Sequence, residues 1–299
     1  MAMPVVTGQK TESEKFAGAL RTYACEAMMQ DGKALQAGTS HNLGQNFAKA
    51  FDLAFQSEAG TREFAWNTSW GVSTRMIGGL IMTHGDDNGM VTPPLLAPIE
   101  VVIVPIWRKD EDRAPVFEAA DRLKRALGDW ERRDPNRLRV HVDRREGMTP
   151  GAKYYEWETR GVPLRLELGP RDIASNQCVL VRRDTRAKQT VSLDAIGEEI
   201  EETLERMQDE LLSVARDRMD KNSHRGEITY DRFKEIIEAG GFVYAGWNGD
   251  PKVEAQVKEE TKATIRVIPD EEFRSAEPAA RCMVTGEPAK HEVVWARAY

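Results

Sequence analysis

Apolar side chains recur every three or four residues along residues 193–219. The repeating positions are Ile196, Ile200, Leu204, Met207, Leu211 and Val214. This spacing matches the turn of an α-helix and predicts one long amphipathic helix. A second helix is predicted over 230–239, where Gly240 and Gly241 end it, and the apolar run 242–247 predicts a strand.

Residues 99–182 alternate between short apolar runs and amphipathic stretches. The pattern predicts strands at 101–106, 138–142, 164–168 and 177–182, and helices at 116–130 and 152–160. Strands and helices that alternate at these spacings indicate a layered α/β domain with a mostly parallel or mixed sheet.

The run T-P-P-L-L-A-P at 92–98 is rich in chain breakers and predicts a domain boundary. Residues 1–97 have the pattern of mixed strand and helix. We expect three domains, 1–97, 98–192 and 193–299, in a fold that combines α/β and α+β architecture. The last is expected to be a small α+β domain packed around Phe242, Val243, Ile265, Val267, Val293 and Trp295.

The composition is that of an ordinary soluble protein, with 40% hydrophobic and 30% charged residues among 299. The apolar run 101–106 is too short to cross a bilayer, and the N-terminus lacks the layout of a signal peptide. We therefore expect a cytoplasmic protein without a membrane partner. The three cysteines are widely spaced and odd in number, so they imply no disulfide framework.

The net charge of −7 argues against indiscriminate nucleic-acid binding, but the charge is unevenly distributed. One basic cluster comprises Arg122, Lys124, Arg125, Arg132, Arg133, Arg137, Arg139, Arg144 and Arg145. A second comprises Arg182, Arg183, Arg186 and Lys188. Such clusters suit a specific, docked polyanion, and solvated helix faces are the alternative.

Residues 31–51 hold Gln36, Thr39 and His41 among small residues, ahead of an amphipathic stretch at 47–55. This pattern predicts a loop at 36–41 that presents polar groups to a small ligand. Arg75 lies where an extended segment, 64–73, gives way to an apolar helix, 76–83. A guanidinium there can stack on a base or hold a phosphate.

Two glycines, Gly78 and Gly79, interrupt that predicted helix. Each glycine lowers the stability of a helix relative to alanine, so its presence here needs a reason other than helix formation. Close packing of the helix on a sheet or a nearby ligand are the two explanations.

The runs 31–51 and 70–82, followed by V-V-I-V-P-I at 101–106, resemble the active-site core of prolyl-tRNA synthetases. These are class II enzymes, and the resemblance is to the form shared by archaea, eukaryotes and some bacteria. The resemblance includes K-T-E-S-E-K-F-A-G-A at 10–19, G-V-P-L-R-L-E-L-G-P-R-D at 161–172, K-E-E-T-K-A-T-I-R at 258–266 and A-R-A-Y at 296–299. Several motifs in family order are more specific than one short match. The resemblance implies a partial class II antiparallel sheet, an anticodon-binding α/β domain and the family's C-terminal domain, in that order.

The resemblance also implies roles for residues in the first domain. Gln36, Thr39, Ser73 and Arg75 would contact ATP, which with Mg²⁺ is a substrate, and His41 would lie against bound proline. Tyr299, with its free carboxylate, would fold back toward the active site. Outside the resemblance, a lone histidine is more often structural, and an arginine at such a junction is more often a surface residue.

Contacts to two anticodon guanines fall, by the same resemblance, on Glu158, Arg165, Arg171 and Lys188. Arginine can read the O6 and N7 edge of guanine, and a carboxylate can accept from its N1 and N2 hydrogens. The alternative for 161–172 is a sheet edge with alternating exposed charges.

Members of the family commonly hold zinc in the C-terminal domain. The corresponding positions here are Asn248, Val253, Cys282 and Thr285. Of these only Cys282 has a side chain of the kind that binds structural zinc, so we expect no zinc.

The resemblance implies a proline–tRNA ligase whose partners are proline and its tRNA, with no DNA. The sequence lacks counterparts of the first class II motif, which builds the homodimer interface, and of the second, whose arginine grips the ATP α-phosphate. Because positioned cations stabilise the charge that develops at phosphorus, we expect no activity from the chain alone, and a homodimer is in doubt. The alternatives are a non-catalytic tRNA anticodon-binding module, a subunit of a split synthetase, and an inactive fragment without a ligand.

Overall fold

The computed structural model describes residues 1–130 and 137–299. Arg132 and Arg133 of the first basic cluster lie outside the described residues. Backbone proximity groups the chain into two compact units. We call residues 1–2 and 84–214 the middle unit, and residues 3–83 and 215–299 the terminal unit. The division into three functional domains at 97 and 192 stays a prediction.

The described elements follow one another in a mixed order of strands and helices. The strands are β1 (Val5–Gln9), β2 (Arg21–Met28), β3 (Ala34–Gly44), β4 (Ala54–Gln56), β5 (Arg62–Phe64), β6 (Asn67–Gly71), β7 (Val101–Pro105), β8 (Val140–Val142), β9 (Leu164–Leu168), β10 (Gln177–Arg182), β11 (Lys188–Ser192), β12 (Ser223–His224), β13 (Phe242–Trp247), β14 (Thr264–Pro269) and β15 (His291–Ala296). The helices are α1 (Asn46–Ala50), α2 (Arg75–His84), α3 (Asp110–Gly128), α4 (Pro150–Thr159), α5 (Pro170–Ala174), α6 (Ile196–Lys221), α7 (Tyr230–Ala239) and α8 (Pro251–Thr261).

Eight strands of the terminal unit join in one sheet, in the order β12-β13-β15-β14-β1-β2-β3-β6. Neighbouring strands are antiparallel except β12 and β13. Strands from the two ends of the sequence meet where β1 pairs with β14, with Gly8 opposite Pro269. A Cβ atom at Gly8 would collide with the Ile268 carbonyl, so glycine permits this close approach.

All six residues predicted to form the C-terminal core are buried, but they lie in two clusters. Val243, Ile265, Val293 and Trp295 pack with residues of α7 and α8. Phe242 and Val267 pack with Val6 and Ala24, which belong to β1 and β2. Because successive residues of a strand point to opposite faces, the sheet carries a core on each side.

The middle unit contains a five-stranded sheet in the order β11-β10-β9-β7-β8. β7 is parallel to β8 and β9, whereas β9, β10 and β11 are antiparallel, so the sheet is mixed, one of the two predicted arrangements. Leu164, Leu166 and Leu168 of β9 pack with apolar residues of α3 and α6. Val101 and Ile103 of β7 belong to the same core. Val102 and Val104 alternate with them along the strand and pack against Trp157 of α4 on the opposite face.

Most predicted elements are present with small shifts of their ends. Helix α3 begins six residues before the predicted start at 116, because Asp110, Glu111 and Asp112 form a favourable acidic first turn. The periodic stretch 193–219 forms α6, and the predicted helix 230–239 is α7. Among the described residues, no helix has the length and apolar character of a membrane span.

Candidate functional site

The residues predicted to form a loop at 36–41 lie within strand β3, so that prediction was wrong. The strand is hydrogen-bonded on both sides, to β2 and to β6. This pairing satisfies backbone groups that a loop would leave to solvent. Small residues such as Ala37 and Gly38 are poor strand formers by themselves, which is why the sequence pattern alone favours a loop.

A β-bulge places the three predicted ligand residues of β3 on one face. Each lies opposite a residue of β2, and these pairs are Gln36 with Glu26, Thr39 with Ala24 and His41 with Thr22. Positions 22, 24 and 26 are two residues apart and share a face, and cross-strand neighbours do so too. Gln36 and Thr39 are three residues apart, so the register shift between Cys25 and Glu26 brings them to the same side.

His41 is half-buried between a hydroxyl and an aromatic ring. Its Nδ1 lies 3.0 Å from the Thr22 Oγ1, and its ring centroid lies 4.9 Å from that of Phe16. The Thr22 oxygen also accepts a hydrogen bond from the Phe16 amide at 3.1 Å. If the Thr22 hydroxyl donates its proton to Nδ1, the neutral ring carries its own proton on Nε2.

Arg75 begins helix α2 after the end of β6, so the predicted strand-to-helix junction is confirmed. Its amide donates to the Ser73 Oγ at 3.3 Å, and both residues are exposed. A Cβ at Gly79 would lie 2.7 Å from the Leu35 Cδ2, whereas one at Gly78 would meet no atom closer than 3.7 Å. Close packing of α2 on β3 therefore accounts for Gly79 but not for Gly78.

The middle unit holds a pocket of about 170 Å³ beside strands β7, β9 and β10. Its lining residues are Val102, Trp157, Glu158, Val162, Arg165, Val181, Arg182, Arg183, Arg186 and Lys188. Three of the four predicted anticodon residues, Glu158, Arg165 and Lys188, thus meet in one pocket. The lining carries five cations and one carboxylate, and the cations are paired with Glu158 or with carboxylates outside the lining.

Arg171, the fourth predicted residue, lines a different pocket of about 430 Å³. Trp107, Arg108 and Lys109 share that pocket, which lies after the carboxyl ends of the parallel strands β7 and β9. The structure therefore does not bring Arg171 together with the other three predicted residues.

The Asp86 carboxylate of the middle unit forms an ion pair with the buried Arg183 of the first pocket. Asp86 accepts two hydrogen bonds from Arg183, at 2.9 and 2.7 Å, and lies 3.7 Å from Arg186. The hydrogen bonds from Arg183 lower the pKa of Asp86 to about 2. Arg186 also pairs with Glu158 at 3.0 Å, so the pocket's cations and carboxylates form a connected network.

Several members of the first basic cluster are paired within the middle unit. Arg139 lies 3.2 Å from Glu100, Arg144 pairs with Asp121, and Arg145 lies 2.7 Å from Asp143. Because the charge of these arginines is already compensated within the chain, the pairs support a structural role rather than polyanion binding for this part of the cluster.

Comparisons with known proteins match both units. Residues 100–203 match the family model described as an anticodon binding domain, and residues 230–299 match the one described as prolyl-tRNA synthetase, C-terminal. The chain therefore contains one region similar to an anticodon-binding domain and one similar to the C-terminal domain of prolyl-tRNA synthetases. Over its full length it is 51% identical to a proline–tRNA ligase of Salinibacter ruber and 50% identical to one of Chloroflexus aurantiacus. It spans 59% and 60% of those two relatives, about three-fifths of their length.

In the region that matches the C-terminal family model, three of the four positions considered for zinc make other contacts. The Asn248 side chain donates to Glu287 at 2.7 Å, Val253 packs in the core, and Thr285 donates to the same Glu287 oxygen at 3.2 Å. Cys282 is buried, which opposes ionisation, but hydrogen bonds from Thr285 and its neighbours lower the thiol pKa. No group of three or more potential metal-ligating side chains was found among residues 1–130 and 137–299.

The C-terminus of the chain pairs with the beginning of β3. The Tyr299 hydroxyl donates to Asp31 at 2.5 Å, and its amide donates to the Ala34 carbonyl at 3.3 Å. Burial and the hydrogen bond to Asp31 raise the pKa of Tyr299 to about 12. Ala34 lies two residues before Gln36, and a contact between Tyr299 and substrates stays a prediction.

Two residues beside the first pocket of the middle unit were missed by the sequence analysis. Glu167 bonds Arg165 at 3.0 Å, and the ring centroid of Tyr154 lies 4.1 Å from the guanidinium carbon of Arg165. The signal for Glu167 is in the sequence, because the alternation L-R-L-E-L places Arg165 and Glu167 on one face of the strand. Tyr154 has no such signal, since it comes from helix α4.

Proposed function

We propose that this chain is a portion of a proline–tRNA ligase, which activates proline with ATP and transfers it to the proline tRNA. The observation that carries this proposal is the pocket formed by Glu158, Arg165 and Lys188 within the anticodon-binding match. The full-length similarity to relatives named proline–tRNA ligase supports it. The cytoplasm, where tRNA is charged, is the compartment that this function implies.

In the proposed complex, the pocket of the middle unit receives an anticodon guanine. Arg165 reads the O6 and N7 edge, and Glu158 accepts from N1 and N2. Lys188 supplies a further positive charge near the base or its phosphate. Arg171 belongs to the adjoining anticodon surface rather than to the same pocket.

In the terminal unit, we propose that Gln36, Thr39, Ser73 and Arg75 contact ATP, bound with Mg²⁺, and that His41 contacts proline. The shared face of Gln36, Thr39 and His41 supports this assignment, because one ligand can reach all three. Arg75 is exposed at the start of α2, and among the described residues its guanidinium has no hydrogen bond or ion pair.

Proline-dependent exchange of pyrophosphate into ATP tests the terminal unit, with His41→Ala as the control. We expect no exchange by the chain alone, because several ATP and proline contacts of the family have no counterpart in its sequence. Exchange above that of His41→Ala would mean that these 299 residues suffice for activation.

Substitution of Arg165 tests the proposed anticodon site. Arg165→Ala should weaken binding to the proline tRNA about tenfold to a hundredfold, since a bidentate contact to guanine is worth roughly 1–3 kcal/mol. Arg122→Ala, which removes an exposed arginine of α3, is the matched control and should change little. Equal loss of affinity for a tRNA without anticodon guanines would contradict guanine recognition.

The alternative is a module that binds tRNA without chemistry. The predicted anticodon residues all belong to the middle unit, which favours this candidate as a second function. Binding should then survive removal of the terminal unit. The terminal unit comprises residues 3–83 and 215–299, so both segments are removed. The first cut belongs after residue 83 rather than 97, because Asp86 pairs with Arg183 and Val91 packs in a core of the middle unit.

A further inference from the structure

Glu167 contacts several residues beside the proposed anticodon pocket. Its Oε1 accepts hydrogen bonds from Arg165 Nε at 3.3 Å, from Arg165 Nη2 at 3.0 Å and from Lys188 Nζ at 3.4 Å. The Tyr154 hydroxyl also hydrogen-bonds Glu167. One carboxylate thus connects two residues of the proposed guanine site and the tyrosine that lies against one of them.

The sheet register explains why these side chains meet. Arg165 lies opposite Val181, and Val181 lies opposite Lys188, so Arg165 and Lys188 occupy one row across β9, β10 and β11. Glu167 is two residues beyond Arg165 and therefore on the same face. The side chains of Arg165 and Glu167 are each 13% exposed, and partial burial strengthens and orients their charge-assisted bonds.

The contacts of Arg165 restrict how it can meet a base. A guanidinium has five N–H donors in a plane, and Glu167 engages the edge formed by Nε and Nη2. The Tyr154 ring, with its centroid 4.1 Å from the guanidinium carbon, covers one face of that plane. Among residues 1–130 and 137–299, the bonds of Arg165 leave the end formed by Nη1 and the second Nη2 hydrogen available for two parallel bonds to a guanine.

We propose that Glu167 is the positioning residue for guanine recognition, because it orients Arg165 and draws Lys188 to the same row. It contacts no base itself and acts through these two cations. The inference rests on the proposed function, since it assigns a role within the same anticodon site.

The test compares Glu167 with a matched carboxylate. Asp184 accepts from Arg182 Nε at 3.0 Å and from Nη2 at 2.7 Å, and its side chain is 12% exposed. Both pairs join a carboxylate to Nε and Nη2 of an arginine at similar burial, although Asp184 uses both of its oxygens and Arg182 also bonds Glu210. No contact of Arg182 with guanine is proposed. Glu167→Ala, Glu167→Gln and Asp184→Ala are made in the full chain, and their folding is checked by thermal unfolding.

Binding is measured with the proline tRNA and with the same tRNA carrying 7-deazaguanine at the anticodon guanines. With unmodified tRNA, Glu167→Ala should bind about tenfold to a hundredfold more weakly, as expected for loss of an oriented bidentate contact. Glu167→Gln keeps volume and an acceptor and should show an intermediate loss. Asp184→Ala should stay within about fivefold of the parent chain.

The modified tRNA separates positioning from general stability. It lacks N7, so the loss caused by either Glu167 variant should shrink to a few-fold at most, as for coupled sites in a double-mutant cycle. An undiminished loss, or an equal loss for Asp184→Ala, would overturn the proposal. If Arg165→Ala binds normally, the anticodon site itself fails; if it binds weakly while both Glu167 variants bind normally, only the positioning role fails.

Discussion

Asp86 shows how one surface carboxylate compensates a buried cation. The Arg183 side chain is 1% exposed and bonds Asp86 through both terminal nitrogens. Its Nε also donates to the Glu158 carbonyl at 2.6 Å. Removing Asp86 would leave the guanidinium buried without its counter-charge, which is costly.

Asp86→Asn should therefore lower the free energy of unfolding by about 1–2 kcal/mol at pH 7, a value reduced for the partial exposure of Asp86. The hydrogen bonds from Arg183 lower the folded-state pKa of Asp86 to about 2. Because this lies below the unfolded value, the stabilisation is complete above about pH 4 and disappears as the pH falls toward 2. Urea unfolding at several pH values measures the effect.

The control is Asp87→Asn, the adjacent exposed carboxylate, which should leave stability nearly unchanged at every pH. The difference between the parent chain and Asp86→Asn should shrink as the pH falls from about 4 and be smallest at about pH 2. A difference that persists there unchanged would contradict an ionic origin.

At the residue scale, the sequence predicts which chemical groups a strand presents better than it predicts which side chains of other elements they contact. The alternation of apolar and charged residues along β9 is enough to place Arg165 and Glu167 on one face. The bulge that aligns Gln36 with Thr39 is not visible in the sequence, because it depends on the register with β2. The position of Arg171 in a separate pocket is likewise set by the turn after β9.

At the element scale, strand β3 and helix α1 show where local patterns mislead. The residues at 36–41 form a strand because two neighbours pair with it. The amphipathic stretch 47–55 forms only a short helix, Asn46–Ala50, before Asp52 takes a left-handed backbone conformation with φ of 54°. Strand β4 then pairs with β5, an interaction that hydrophobic periodicity does not reveal.

A buried charge cluster connects strands β2 and β14 of the terminal sheet with Lys10, the residue after β1. Glu26 of β2 accepts from Lys10 at 2.8 Å and from Arg266 of β14 at 3.0 and 3.1 Å. Glu26→Gln should cost about 3–5 kcal/mol in unfolding free energy, because two cations would stay buried without a counter-charge. Chemical denaturation followed by tryptophan fluorescence measures this.

Replacing the whole cluster is the matched comparison. Lys10→Met, Glu26→Leu and Arg266→Met together should restore most of the lost stability, since a packed apolar cluster avoids burying charges. A loss below about 1 kcal/mol for Glu26→Gln alone would show that the cluster does not need its carboxylate.

Strand β6 is an edge of the eight-stranded sheet and carries an exposed apolar side chain. The Trp70 residue is 77% exposed. Trp70→Lys should reduce concentration-dependent self-association, because lysine on an edge strand discourages pairing between chains. Stability should change by no more than about 0.5 kcal/mol. Light scattering across a concentration series measures the association.

Phe51→Lys is the control for this edge, because Phe51 is 78% exposed and lies outside the strand. It should reduce association less than Trp70→Lys does. An equal reduction would indicate that exposed apolar area, rather than the strand edge, drives association.

At the scale of the whole molecule, the ends of the sequence contribute to one sheet. Residues 5–71 and 223–296 supply its strands, joined where β1 meets β14. Local patterns predict β13 at its observed position and an extended segment, 64–73, that includes β6. They do not predict which strands pair, because the pairing residues are more than 250 positions apart.

The central claim is that the middle unit recognises anticodon guanines. The most direct measurement is the affinity of the full chain, at one fixed salt concentration, for the proline tRNA and for the same tRNA with both anticodon guanines replaced by adenine. We predict that the replacement weakens binding by about tenfold or more for each guanine, because each mismatched base costs roughly 1–3 kcal/mol. Equal affinity for the two tRNAs would contradict the account.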